Sequence, residues 1–111
     1  MTGPAPVYLY HAVVVRWVDG DTVDLRVDCG FYLWMESRFR LYGIDTPERG
    51  RPGWAEATEF CVSMAPPGTH VTASTYKAAD KYGRWLANLY VGDTMVNMAL
   101  VQAGHAKPYM G

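Results

Sequence analysis

Three observations predict a mainly β fold with helices (α+β), built as a small barrel. Strand-like alternation recurs in three successive early segments, "VYLYHAVVVRWV", "VDLRVDC" and "SRFRLYGI". Short turn signals separate these segments, "DGDT" first and Gly30 second, which suggests an antiparallel meander. A helical stripe, "WAEATEFCVSM", then precedes two further strands and a second short helix. Three strands, helix, two strands, helix is the order of a five-stranded Greek-key barrel, the OB-fold.

Each element has a local cause. In "VDLRVDC", Val23, Leu25, Val27 and Cys29 share one face, and Asp24, Arg26 and Asp28 the other. In "SRFRLYGI", Phe39 and Leu41 oppose Arg38, Arg40 and Tyr42. Pro47, Gly50, Pro52 and Gly53 break the pattern into a loop. The first helix lines up Ala57, Phe60, Cys61 and Met64, and "PPG" ends it. "HVTASTY" alternates as a strand, "KAADKYG" reads as a polar turn, and "RWLANLYV" as the last strand. In "MVNMALVQA", Val96, Ala99, Leu100 and Ala103 fall in line before Gly104.

The chain has 111 residues, which fits one domain over residues 1–111 with a real core. Half of it is apolar, so a packed globule is expected. Ten basic residues face eleven acidic ones for a net charge of −1, so no whole-protein field draws in nucleic acid. A local basic cleft stays compatible with that balance. Cys29 and Cys61 match no metal or redox spacing and read as buried thiols. His11, His70 and His105 are scattered and read as surface or packing residues. No apolar run approaches a membrane span, and Arg16 interrupts the one long apolar stretch near the start. The chain reads as soluble and cytoplasmic, with secretion left open.

Charges gather at the ends of elements. Asp19 and Asp21 lie in "DGDT", Arg40, Asp45 and Glu48 in "RFRLYGIDTPERG", and Lys81 and Arg84 in "DKYGR". Cleaving a phosphodiester needs cations fixed where charge builds on the non-bridging oxygens. A metal held by carboxylates supplies some of that charge and orients water, and arginine forks supply the rest. Asp21 and Asp45 suit the metal, Glu48 the water, and Arg40 with Arg84 the phosphate. Each residue also has an ordinary explanation. "DGDT" alone is most often a hairpin turn. Thr46 and Pro47 fit a capped turn before a helix. An arginine on a strand face is usually solvated or ion-paired.

Four blocks in order, "VDGDTVDL", "RFRLYGIDTPE", "DKYGRWLANLYV" and "MVNMALVQAGHAK", resemble the signature blocks of the staphylococcal-nuclease-like (thermonuclease) family over about residues 12–107. The resemblance implies an OB-type barrel with a Ca2+-dependent nuclease activity. It further implies DNA and RNA as substrates, little sequence preference and 3′-phosphate ends. It gives Asp21, Asp45 and the Thr46 carbonyl as calcium ligands, and Arg40 and Arg84 as the phosphate grip. Glu48 would then orient the attacking water or remove its proton, and both versions stay open. Lys81 and Tyr82 match contacts to a terminal phosphate, and Tyr109 approximates a tyrosine that stacks on the base. Asp19 would orient the turn or hold a metal-bound water.

The chain departs from the family pattern in two places. Residues 49–53 form a short loop, in which Arg49 and Arg51 replace a longer lysine-rich segment. The sequence ends just after the second helix, so the family's long C-terminal helix is missing, and exposed apolar surface there favours a homo-oligomer. The rivals are a catalytically silent OB-fold module binding single-stranded nucleic acid and a protein-interaction domain reusing the fold. Neither explains why Asp21, Arg40, Asp45, Glu48 and Arg84 occur together.

Overall fold

In the computed structural model the described residues are Gly3 and 7–109, without the side chains of 77–79, so both ends of the 1–111 span lie outside them. Strand β1 (Leu9–Asp19) turns into β2 (Thr22–Asp28), and β2 into β3 (Trp34–Leu41), giving the expected antiparallel meander. Short β4 (Ile44–Asp45) precedes helix α1 (Trp54–Met64). The chain continues through β5 (His70–Ala79), β6 (Trp85–Val91), β7 (Thr94–Met95), α2 (Val96–Gln102) and β8 (Lys107–Pro108). β5 lies antiparallel between β1 and β6. Parallel pairing of β3 with β6, from Phe39↔Trp85 to Leu41↔Ala87, closes the sheet into a five-stranded barrel of OB type.

Alternation fills that barrel as the sequence predicts. Val23, Leu25 and Val27 point inward from β2, Phe39 and Leu41 from β3, and Ala87 and Leu89 from β6. α1 covers one side with Ala57 and Cys61 fully buried, while Phe60 and Met64 of the expected stripe pack at the core margin. Tertiary packing corrects four local expectations. α1 begins at Trp54 after Gly53, so Thr46 and Pro47 do not cap it. Lys77, Ala78 and Ala79 belong to β5 rather than to a polar turn, because β6 pairs as far as Ala79↔Trp85. α2 stops at Gln102, which leaves Ala103 exposed. His11 and His70 are not scattered: β1–β5 pairing brings His11 Nε2 within 2.9 Å of His70 Nδ1.

In α2 the buried position that a hydrophobic stripe would not include is Asn97, only 2% exposed. Its Oδ1 accepts the Leu89 N–H at 3.0 Å, while Nδ2 donates to the carbonyls of Tyr42 (3.0 Å) and Ala87 (3.2 Å). One amide therefore joins α2 to β6 and to the chain leaving β3. At the opposite end of the hairpin, Phe31 (φ 57°) and Tyr32 (φ 60°) form the centre of a two-residue turn, with the Leu33 N–H bonded to the Gly30 carbonyl at 2.9 Å. Both central residues are left-handed, a geometry usually given to Asn-Gly. Both aromatic rings are solvent-exposed. No helix among the described residues is long and apolar enough to cross a membrane.

Truncating Asn97 to alanine leaves the buried Leu89 N–H without its partner. Each such orphan costs about 1–3 kcal/mol. The Asn97→Ala variant is expected to unfold at clearly lower urea concentration, by at least that margin in extrapolated stability; an unchanged midpoint would remove Asn97 from this role.

Candidate active site

The site starts from the two-residue turn Gly20–Asp21, bracketed by the pair Asp19↔Thr22. Gly20 is sterically required. A Cβ there would sit 2.9 Å from Ala57 Cβ and 3.0 Å from Thr46 Cγ2. Glycine thus lets the turn press against both α1 and the loop after β4. Two contacts hold it down. Trp54 Nε1 donates to Asp19 Oδ1 at 2.6 Å, and Cys61 Sγ donates to the Gly20 carbonyl at 3.3 Å. Burial, followed by the nearby Asp21 charge, pushes the Cys61 thiol up to about 12, so it stays protonated. Cys29 is half-buried and Cys61 buried, and both are free thiols.

Asp21 is almost fully buried and lies at the centre of the site. Its Oδ1 accepts from Thr22 Oγ1 at 3.1 Å, and its Oδ2 accepts the Thr46 N–H at 3.1 Å. Arg40 of β3, paired opposite Thr22, brings Nη1 to 3.0 Å from Asp21 Oδ2. The same guanidinium places Nη2 3.4 Å from Asp45 Oδ1. Asp21 is only 10% exposed at the side chain, whereas Asp45 is 57% exposed. One arginine therefore spans two carboxylates that are 24 residues apart in the chain, counting from 21 to 45.

Arg84 approaches from the turn before β6, with Nη1 3.4 Å from Thr22 Oγ1. Asp80, a residue that the sequence reading passed over, holds it there. Asp80 Oδ1 accepts the N–H groups of Tyr82 and Arg84, both at 2.9 Å, and Oδ2 faces Arg84 Nε at 2.8 Å and Nη2 at 2.7 Å. Partial burial works against ionisation of Asp80. The backbone and side-chain bonds from Arg84, with the Tyr82 N–H, outweigh it and hold the carboxyl below the usual range. The signal was available as an aspartate four residues before Arg84, next to Gly83.

Aromatic rings line the two cations. Tyr82 sits under Arg84 with the guanidinium 5.1 Å from its ring, and Lys81 Nζ lies 5.2 Å from the same ring. The Tyr109 ring is 5.6 Å from Arg40, and its N–H bonds the Gly43 carbonyl at 2.8 Å. Arg49 stacks on Trp54 at 4.6 Å. Glu48 stands apart: its side chain is exposed and has no hydrogen bond or ion pair among the described residues. Only its carbonyl is used, by the Arg51 N–H at 2.9 Å.

The donor chemistry fits a hard cation. Asp21, Asp45 and the Thr46 main chain offer oxygen alone, and the buried Thr46 Oγ1 has no hydrogen-bond partner. Among the described residues no three histidine, cysteine or acidic side chains converge on a metal position. The carboxylates of Asp21 and Asp45 would be the side-chain ligands of such an ion. An ion bound there would keep several waters, as calcium and magnesium do at sparse oxygen sites.

A family model described as staphylococcal nuclease homologue matches residues 38–110. The chain belongs to that family. It is 38% identical over 104 residues to an uncharacterized endonuclease of Escherichia coli O157:H7, covering 89% of this chain and 61% of that protein. It is 32% identical over 101 residues to a thermonuclease of Staphylococcus intermedius, covering 86% and 57%. A similar match, 33% over 105 residues, is to Protein ParB of Escherichia coli, covering 86% and 55%. The chain spans about three-fifths of the length of the first of these relatives.

The lowered Asp80 carboxyl gives a signed pH expectation. A carboxylate depressed in the folded state stabilises it above the unfolded value of about 3.9, and that contribution fades as pH falls through the lower folded value. Asp80→Asn should therefore cost more stability at pH 7 than at pH 3 in urea titrations. Equal costs at both pH values would separate Asp80 from Arg84.

Proposed function

We propose that residues 1–111 form one nuclease domain that hydrolyses phosphodiester bonds in DNA and RNA, dependent on Ca2+ and leaving 3′-phosphate ends. The observation that carries this is the convergence on Asp21. Arg40 reaches Asp21 and Asp45 together, and Arg84 reaches Thr22 beside them. Two guanidinium groups and two carboxylates from three segments distant in the chain are thereby linked through Asp21 and its neighbour Thr22.

Each residue has a task in that geometry. Arg40 and Arg84 present planar forks to the non-bridging oxygens and stabilise the charge that builds there. Arg84 is pre-positioned by Asp80, so its orientation is set before substrate arrives. Asp21, Asp45 and the Thr46 carbonyl would hold the cation, which when bound adds positive charge beside the phosphate and polarises water. Glu48 orients the attacking water or accepts its proton, and its exposed position leaves it room to do either. To Lys81 and Tyr82 we assign contact with a terminal phosphate, and to Tyr109 stacking on a base; the cation–ring contacts at Arg84 and Arg40 support the assignment.

Arg40 is a poor first target for mutation. It pairs with a buried carboxylate, and removing one partner of such a pair costs about 3–5 kcal/mol. Arg84 is the cleaner test. Arg84→Ala is expected to slow turnover on single-stranded DNA by roughly 10²–10³-fold, with a stability loss in urea no larger than that of Asp80→Asn, which breaks the same pair. Chelating divalent ions should abolish cleavage, and adding calcium should restore it. Cleavage that survives chelation would overturn the metal role. Tight strand binding without cleavage in any metal would point to the silent binding module.

A further inference from the structure

His11 and His70 meet on a part of the surface that the residues around Asp21 do not use. β1 pairs with β5 so that His11 lies opposite Thr72 and Val13 opposite His70, which makes the two histidines diagonal neighbours. Ala12 and Val71 between them are buried, so both imidazoles stand on the outer face of the barrel. Diagonal positions on one face are close enough for ring side chains to touch. Here the ring centroids are 5.0 Å apart with planes 26° from parallel, and His11 Nε2 lies 2.9 Å from His70 Nδ1. Both residues are exposed.

The frame beneath the rings is stiff. Pairing runs unbroken from Leu9↔Ser74 to Val13↔His70. The loop entering β5 is tied to β1 as well. The Val14 N–H bonds the Thr69 carbonyl at 3.0 Å, and the Gly68 N–H bonds the Val14 carbonyl at 2.8 Å. His70 therefore cannot drift from His11 without breaking main-chain bonds. Two nitrogen donors are held at a set separation by rigid elements before any ligand arrives.

Separation and donor type select the occupant. Metal–imidazole bonds of about 2.0–2.1 Å that meet at a right angle hold their nitrogens about 2.8–3.0 Å apart, and a tetrahedral angle spreads them to about 3.3–3.4 Å. The observed 2.9 Å suits the right angle. Tetragonal nitrogen and oxygen ligation is the habit of copper(II) and nickel(II), the two ions at the top of the divalent affinity order. Without metal, one ring donates its N–H to the other. Binding requires the donor ring to move that hydrogen to its other nitrogen, a tautomeric exchange through water that leaves the charge unchanged. Both facing nitrogens then direct lone pairs at one ion. Among the described residues no third histidine, cysteine or acidic side chain joins them, so water completes the shell.

We propose that His11 and His70 form a two-imidazole site for a tetragonal divalent ion, copper(II) or nickel(II), which clamps β1 to β5 on the outer wall of the barrel. The clamp stands independently of the nuclease reading. Asp19, where the turn to Asp21 begins, is eight residues along β1 from His11, counting from 11 to 19. That is about 25 Å of extended strand. Imidazole nitrogen suits copper and nickel, whereas carboxylate and carbonyl oxygen suit calcium, so the two positions sort cations by donor chemistry.

The test is calorimetric titration of nickel(II) chloride into the untagged chain, with thermal unfolding followed in parallel. Nickel(II) is the probe because, unlike copper(II), it does not oxidise the free Cys29 thiol. One ion per chain is expected. Once free metal is several times the dissociation constant, the unfolding midpoint should rise by about 4–8 °C. His11→Gln and His70→Gln should each weaken binding by at least about 10-fold, since removing even the supporting partner of a metal ligand costs that much. His105→Gln should leave binding unchanged, because that ring packs on Phe60 elsewhere in the fold. A large excess of calcium should leave it unchanged too. Binding that persists in either His11→Gln or His70→Gln, that calcium displaces, or that leaves the midpoint unmoved would overturn the clamp. Should both variants fold poorly, electron paramagnetic resonance of the wild-type copper(II) complex decides. Splitting from two imidazole nitrogens supports the pair, and splitting from one or none overturns it.

Discussion

The arrangement depends on one buried carboxylate. Asp21 sits in a turn that could be solvated, yet it is drawn inward because three separate segments satisfy it: the Thr22 hydroxyl, the Thr46 N–H and the Arg40 guanidinium. An ionised group that deep is costly unless paired and hydrogen-bonded. Each partner is therefore held as firmly as the charge it neutralises. The β1–β2 turn, the outward face of β3 and the loop after β4 are locked into one local geometry by that requirement. Gly20 makes the lock possible by giving the turn no Cβ to strike α1.

Much of the barrel was legible because its causes are local. Inward Val23, Leu25 and Val27, and inward Phe39 and Leu41, follow from period-two alternation alone. The two helices were likewise readable from their apolar spacing. What escaped was nonlocal. Parallel closure of β3 on β6 joins residues 46 apart, Phe39 and Trp85, and no turn chemistry advertises it. That closure sets Asn97 beneath Tyr42 and turns a polar residue in a helical stripe into a core anchor.

The candidate site shows the same division. Asp21, Arg40, Asp45 and Arg84 could be picked out as charges at element ends, and the structure gathers them. Asp80 was passed over because an aspartate beside Lys-Tyr-Gly looks like an ordinary turn residue. Its importance appears only when both oxygens are seen engaged by Arg84 and the turn's own N–H groups. Glu48 is the reverse case, singled out in sequence yet exposed and clear of the ion-pair network. Glu48 is left open to solvent, whereas Arg40 and Arg84 are each held by ion pairs.

The left-handed Phe31–Tyr32 tip has a consequence for how the molecule could be altered. Non-glycine residues at both centres store backbone strain at the end of the hairpin far from Asp21. Grafting Asn-Gly there would relax that conformation and remove two greasy rings from the surface. Hardiness and colloidal behaviour could then be raised together by redesigning a corner that takes no part in the gathered charges.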